Sequence, residues 1–185
     1  MSGAPALPRR VCVFAGSSVG TDPAFLKAAH ELGAALAGRG LGLVFGATGA
    51  GLMGAVADGV IEAGGEVIGV TPRFLAEVAD DHPGVEIRVV DTLAERKLLM
   101  AELSAGFIAL PGGLGTLDEL AEMATWTQLG VHDKPVVLLD LLGYWSKLEE
   151  LLDSMVDNGF LRPEGRALLQ FATDPAAAIA AVEPK

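Results

Sequence analysis

The residues best suited to chemistry form one run, Leu110-Pro111-Gly112-Gly113-Leu114-Gly115-Thr116-Leu117-Asp118-Glu119, in which three glycines precede a carboxylate. Residues 106–110 are an apolar stretch that predicts a short buried strand. Leu117, Leu120, Ala121, Ala124 and Gln128 share one face of a predicted helix, so the glycines fall on a strand-to-helix turn. Such a turn binds anions, because backbone without Cβ atoms lets a ligand come close. The open N–H groups and the positive end of the helix dipole then favour phosphate. The dipole alone contributes only about 0.3–1 kcal/mol per contact, so several amides must converge on the ligand.

Charge singles out a second pair. The chain carries 13 Lys and Arg against 24 Asp and Glu, a formal net charge of −11, which excludes a nucleic-acid surface built on clustered cations. An anionic ligand must therefore be held locally. The only adjacent basic pair after the first ten positions is Arg96-Lys97. If Thr92 caps the helix that follows it, Arg96 lies in the first turn, where a cation opposes the dipole, and a broken local rule beside a cleft points to function. The plainer reading is a solvated Arg96 paired with Glu95 or Glu102. Glu119 also has two readings: a reactive carboxylate, or the partner of Thr116 in a capping box, since Thr116-Leu117-Asp118-Glu119 has that spacing.

The elements that must position these residues follow from hydrophobic patterning. Strands are predicted at residues 10–15, 41–46, 66–71, 85–90, 106–110 and 135–140. Most are continuous apolar runs, as in strands covered on both faces. Helices are predicted at 23–38, 52–63, 93–103, 117–128 and 144–157, and Asp174-Pro175 opens a short one near the C-terminus. No linker, repeat or low-complexity tract divides the 185 residues. This rhythm predicts an α/β fold with a doubly wound, mostly parallel sheet, helices on both faces, and ligands beyond the carboxyl ends of the strands. Residues 1–9 are expected to form a flexible extension and residues 10–185 a single Rossmann-like nucleotide-binding domain.

Several function classes are disfavoured. Gly49-Ala50-Gly51-Leu52-Met53-Gly54 is a formal G-x-G-x-x-G. However, Val70-Thr71-Pro72 stands where a dinucleotide fold would place the ribose-binding acid. A mononucleotide is preferred. No glycine turn carries the Gly-Lys-Ser/Thr of a nucleotide triphosphatase. Apolar residues make up 51% of the chain, yet no uninterrupted apolar stretch reaches the roughly 18 residues of a membrane span, and Val11 to Ala15 is too short for a signal peptide. A cytoplasmic protein without membrane or nucleic-acid partners is expected. Cys12, the single cysteine, reads as a small buried hydrophobe. His30 reads as a helix-surface residue, His82 and His132 as loop residues, and Asp80-Asp81 as a solvated loop; no metal site is expected. Trp126, Tyr144 and Trp145 read as packing residues rather than base-stacking platforms.

Taken together, Arg96-Lys97, the run from Pro111 to Glu119, and Trp126-Thr127-Gln128-Leu129-Gly130-Val131-His132-Asp133-Lys134-Pro135 resemble the LOG family. These are the cytokinin riboside 5′-monophosphate phosphoribohydrolases, once described as lysine decarboxylases. The likeness extends from Gly16-Ser17-Ser18 through Gly51-Leu52-Met53-Gly54 to about Phe160. The resemblance implies hydrolysis of the N-glycosidic bond of AMP or an N6-modified AMP, releasing base and ribose 5-phosphate without a cofactor, by a homodimer. It implies Arg96 and Glu119 as the catalytic pair. For substrate and phosphate it implies Gly16, Ser17, Gly51, Met53, Gly54, Lys97, Pro111, Gly112, Gly113, Gly115, Thr116 and Thr125; Glu77, in the loop after the third predicted strand, is expected to approach the purine base. Departures are Gly46-Ala47-Thr48-Gly49 in place of a triple glycine, Ala105-Gly106 where an acid is common, and Leu93-Ala94 in place of Met-His.

The residue types suit that chemistry on their own terms. Cleavage of a ribose N-glycosidic bond passes through an oxocarbenium-like state, which a carboxylate near the anomeric carbon stabilises, directly or by directing a water. The alternative from another class is a nucleotide- or cofactor-binding carrier, which would need the glycine turn but not the carboxylate. A pyridoxal-phosphate decarboxylase would need a Schiff-base lysine, and neither Lys97 nor Lys134 has a recognisable surrounding site.

Overall fold

The computed structural model describes residues 9–76 and 83–183. Seven parallel strands form one sheet: β1 (Arg10–Phe14), β2 (Gly42–Phe45), β3 (Val67–Pro72), β4 (Val85–Val90), β5 (Gly106–Ala109), β6 (Val136–Leu139) and β7 (Leu169–Ala172). Their order is β4-β3-β2-β1-β5-β6-β7. The chain thus runs outward from β1 to β4, returns to the other side of β1 at β5, and runs outward again. The β1/β5 boundary is the switch point of a doubly wound sheet, where the loops leave the strands in opposite directions and open a crevice.

The helices are α1 (Pro23–Gly38), α2 (Gly51–Glu62), α3 (Leu93–Glu102), α4 (Leu114–Gln128), α5 (Ser146–Asp157), α6 (Pro163–Arg166) and α7 (Pro175–Val182). Alternate strand residues feed two cores, as the two-residue period of a strand requires. Val11, Val13, Leu43, Phe45, Ile108 and Val137 pack with α1, α2 and α7. Cys12, Phe14, Val44, Phe107, Ala109 and Leu138 pack on the other face with Met100 of α3, Leu120 and Met123 of α4, and Trp145. Both faces are covered over the central strands, which is why those strands read as unbroken apolar runs.

Three expectations change. The sheet has a seventh strand, β7, which the sequence reading leaves unassigned. It is a four-residue edge strand with only Ala172 buried, too short and too polar to show a strand pattern. A 3-10 turn at Leu141–Gly143 delays α5 to Ser146. Helix α4 begins at Leu114, three residues before the expected start, and buries Thr116, Glu119, Leu120 and Met123; of the residues expected to share one face, Leu117, Ala121 and Gln128 are exposed. No helix among the described residues is long and apolar enough to cross a membrane.

Candidate active site

Backbone hydrogen bonds lock the loops at the switch point together. The Gly16 N–H donates to Pro111 O (3.0 Å), and the amides of Leu52 and Met53, in the first turn of α2, donate to Gly16 O (3.0 and 3.3 Å). Gly51 takes a positive φ of 64° and lies so close to the next loop that a Cβ there would sit 2.2 Å from the Ser17 carbonyl carbon. A Cβ on Gly54 would likewise sit 2.1 Å from Gly49 O. These two glycines act by letting loops approach one another; neither faces the cavity described next.

That cavity, about 350 Å³, is lined by Ala15, Gly16, Ser17, Thr48, Met53, Arg96, Gly113, Leu114, Gly115, Thr116 and Glu119. It thus gathers Gly16, Ser17, Met53, Arg96, Gly113, Gly115, Thr116 and Glu119 from the residues singled out in the sequence. Ala15, Thr48 and Leu114 also line it: Ala15 and Thr48 follow the ends of β1 and β2, and Leu114 lies between the glycines of the turn. Gly113 is the N-cap of α4 and offers no side chain, so no side chain occupies the first-turn amides that border the cavity. Open amides at a helix N-terminus favour an anion. Pro111 and Gly112 line an adjoining, more apolar cavity of about 310 Å³ with Ser18, Phe25, Leu52 and Tyr144.

Arg96 reaches the cavity from α3. Thr92 caps that helix in a true capping box: its hydroxyl accepts from the Glu95 N–H (3.1 Å), and the Glu95 carboxylate accepts from the amides of Thr92 (3.2 Å) and Asp91 (2.9 Å). Glu95 is therefore engaged with backbone and is not the partner of Arg96. The Arg96 Nε donates to Val70 O at 3.0 Å, and Nη1 lies 3.1 Å from Glu119 Oε1, with side-chain exposures of 15% and 10% for the ion pair. Gly46 makes room for the guanidinium: a Cβ there would lie 2.1 Å from Nη2. Burial pushes the Glu119 carboxyl above its usual range, and the Arg96 charge pulls it partly back.

The capping-box reading of Glu119 is overturned. With Gly113 as N-cap, Thr116 is the third residue of α4 rather than its cap, and Glu119 lies one turn inside the helix, turned toward Arg96. Other expected site residues lie elsewhere. The Lys97 ammonium pairs with Asp118 (2.9 Å) and Glu122 (2.7 Å) and does not line the cavity; burial lowers its pKa, but these two carboxylates leave it raised overall. Thr125 is exposed on α4, its hydroxyl donating to Ala121 O (2.7 Å). Glu77, Asp80, Asp81 and His82 lie outside the described residues.

The remaining reactive types are accounted for by packing. Cys12 is fully buried, and burial pushes its thiol well up. His30 pairs with Glu62 on the surface (3.0 Å). His132 is half-buried against Phe107 and Trp126, its Nδ1 accepting from the Lys134 N–H (3.3 Å). The Lys134 ammonium donates to Ala101 O at 2.6 Å. Neither Lys97 nor Lys134 borders the cavity that holds Arg96 and Glu119. Among the described residues no three His, Cys, Asp or Glu side chains converge as a metal site.

The chain is similar to known proteins along most of its length. The model of a family described as possible lysine decarboxylase matches residues 53–182. The probable cytokinin riboside 5′-monophosphate phosphoribohydrolase LOGL2 of Oryza sativa subsp. japonica is 46% identical over 169 residues, covering 90% of this chain and 69% of that protein. Cytokinin riboside 5′-monophosphate phosphoribohydrolase LOG5 of Arabidopsis thaliana is 49% identical over 160 residues, 85% and 70% of the two chains. Among solved structures, the molybdenum cofactor carrier protein of Chlamydomonas reinhardtii superposes with a TM-score of 0.68 at 30% identity over 96% of each chain. Nearly half of the residues agree with those relatives across most of the sequence, so the chain belongs to the LOG family of cytokinin riboside 5′-monophosphate phosphoribohydrolases.

Proposed function

We propose that this protein hydrolyses the N-glycosidic bond of adenosine 5′-monophosphates, with or without an N6 substituent, releasing free base and ribose 5-phosphate without a cofactor. The observation that carries this reading is the Arg96–Glu119 pair, 3.1 Å apart, on the wall of the cavity bordered by the uncapped N-terminus of α4. The amides of Gly113, Leu114, Gly115 and Thr116 hold the 5′-phosphate. The ribose lies along the cavity with C1′ toward Glu119.

Water attacks C1′ as the C1′–N9 bond breaks. The bond's electron pair leaves with the base, which takes up a proton, and the water gives one up to Glu119. The Glu119 carboxylate stabilises the positive charge that builds on the sugar. The Arg96 charge favours the ionised form of Glu119 against its burial, and the carbonyl of Val70 keeps Arg96 in place. The exposed stripe Leu114, Leu117, Ala121 and Leu129 along α4 supports assembly as a homodimer; the compartment we assign is the cytoplasm.

The likeness to the molybdenum cofactor carrier favours a second reading, a carrier that holds a phosphate-bearing ligand without reaction. A buried carboxylate beside a phosphate repels it and has no use in a carrier, so hydrolysis is the better account of Glu119. The decisive experiment incubates the protein with AMP and isopentenyl-AMP and separates free base by chromatography. Base from both monophosphates, and far less from the matching nucleosides, is expected; no base from either leaves the carrier.

A further inference from the structure

The glycine turn can receive an anion only if its carbonyls face away, since carbonyl oxygens would repel phosphate. Three consecutive carbonyls of the turn are each held by a donor. Pro111 O accepts from the Gly16 N–H (3.0 Å), Gly112 O from the Tyr144 hydroxyl (2.5 Å), and Gly113 O from the Leu117 N–H (3.1 Å). In a trans peptide the carbonyl and the following N–H point in opposite directions. Holding Gly112 O on Tyr144 therefore directs the Gly113 N–H the other way.

The outer two of these bonds are backbone to backbone and belong to the loop pairing and to α4. The middle one is made by a side chain, and it restrains the peptide least able to hold itself. Gly112 and Gly113 are both glycine, so neither carries a Cβ that would restrict rotation of the peptide between them. On the Gly112 side the backbone packs closely against Thr116 and Gly16, whereas a Cβ on Gly113 would meet nothing within 4 Å, so on the Gly113 side the Tyr144 bond acts without help from packing.

Tyr144 is itself firmly placed. The turn at Leu141–Gly143 carries two left-handed residues, Leu142 (φ 55°) and Gly143 (φ 72°), and Asp140 Oδ1 closes it by accepting from the Trp145 N–H (2.6 Å). The Tyr144 ring meets Trp145 and Phe25 edge to face, at 4.9 and 6.1 Å between centroids.

We propose that Tyr144 is a positioning residue that sets the Gly112–Gly113 peptide with its N–H toward the phosphate, and so favours phosphorylated over unphosphorylated nucleosides. The kinetic part of this proposal rests on the hydrolase reading; the anion-binding part does not. Tyr144→Phe keeps the ring and its packing but removes the hydroxyl. Loss of one neutral hydrogen bond predicts a KM for AMP raised about five- to tenfold with kcat close to the parent's. The slow turnover of adenosine should be unchanged, and affinity for inorganic phosphate, measured by calorimetry, should fall by the same factor as for AMP. Equal phosphate affinity in variant and parent overturns the proposal, as does an equal loss on AMP and adenosine. If the parent releases no base from AMP, the hydrolase reading fails while the phosphate titration still decides the role of Tyr144.

Discussion

Two tetrads with the same outline, Thr92-Leu93-Ala94-Glu95 and Thr116-Leu117-Asp118-Glu119, head the two helices that build the site, yet they do opposite things. In the first, threonine and glutamate satisfy each other's backbone amides in a capping box. In the second, α4 begins at Leu114 behind a glycine cap, so the threonine lies inside the helix and the glutamate is buried against Arg96. The first glutamate closes a helix end. The second leaves its helix end open and projects a carboxylate into the same cavity. The difference arises from what precedes each tetrad: Asp91 leads into the first, whereas Gly113-Leu114-Gly115 before the second lets the helix start a turn earlier.

The comparison predicts effects of very different size. Glu119→Gln should lower turnover by at least about 10²-fold, the usual scale for a lost catalytic group, with circular dichroism unchanged. A capping role would leave the rate intact and lower the melting temperature. Burial holds the Glu119 carboxyl above its unfolded range, so its contribution to stability is present only when it is protonated. That contribution is complete in acid, below the unfolded carboxylate range, and is lost as pH rises through the raised folded value. The permanently neutral glutamine should therefore melt higher than the parent at neutral pH, the gap closing in acid.

Arg96→Gln should come next in size. Without the guanidinium the Glu119 carboxyl loses its main stabilising charge, so its pKa rises further. The acid limb of the pH–rate profile should move to higher pH, with activity lost at neutral pH and partly recovered in base. An unmoved limb would separate the acid limb from Glu119. Smallest of all, Thr92→Ala should cost about 1 kcal/mol of stability as a lost cap, lowering the melting temperature by about 2–4 °C. Turnover should stay close to the parent's, because Arg96 is held from the far side by Val70 O. A large rate loss here would mean that the capping box itself aims Arg96.

Much of the fold is legible in one dimension because both sheet faces are buried. Five strands show as apolar runs, the edge strand β4 shows by alternation of Val85, Ile87 and Val89 with Glu86 and Arg88, and α1 shows its cap at Asp22-Pro23. The edge strand β7 is silent, since an edge needs few apolar residues. At the site, Arg96 stands out through scarcity of charge and Glu119 through its place after the glycines. Lys97 shares the scarcity but not the place: one residue further along α3, its side chain meets Asp118 and Glu122 instead of the cavity. Tyr144 has no local signal at all, because the carbonyl it tethers is 32 residues away.

What the sequence determined by itself is which chemistry is available: a glycine turn for an anion, one scarce cation and one carboxylate, on an alternating α/β frame. Residue type and short-range spacing suffice for that, because backbone freedom, charge and hydrophobic period are local properties. What only the tertiary structure decided is which of two equivalent threonine–glutamate spacings is a cap, which of two adjacent cations faces the cavity, and which distant hydroxyl holds the turn. Those choices depend on helix register and on contacts between strands far apart in the chain, where burial and hydrogen bonding are shared among elements that no local window contains.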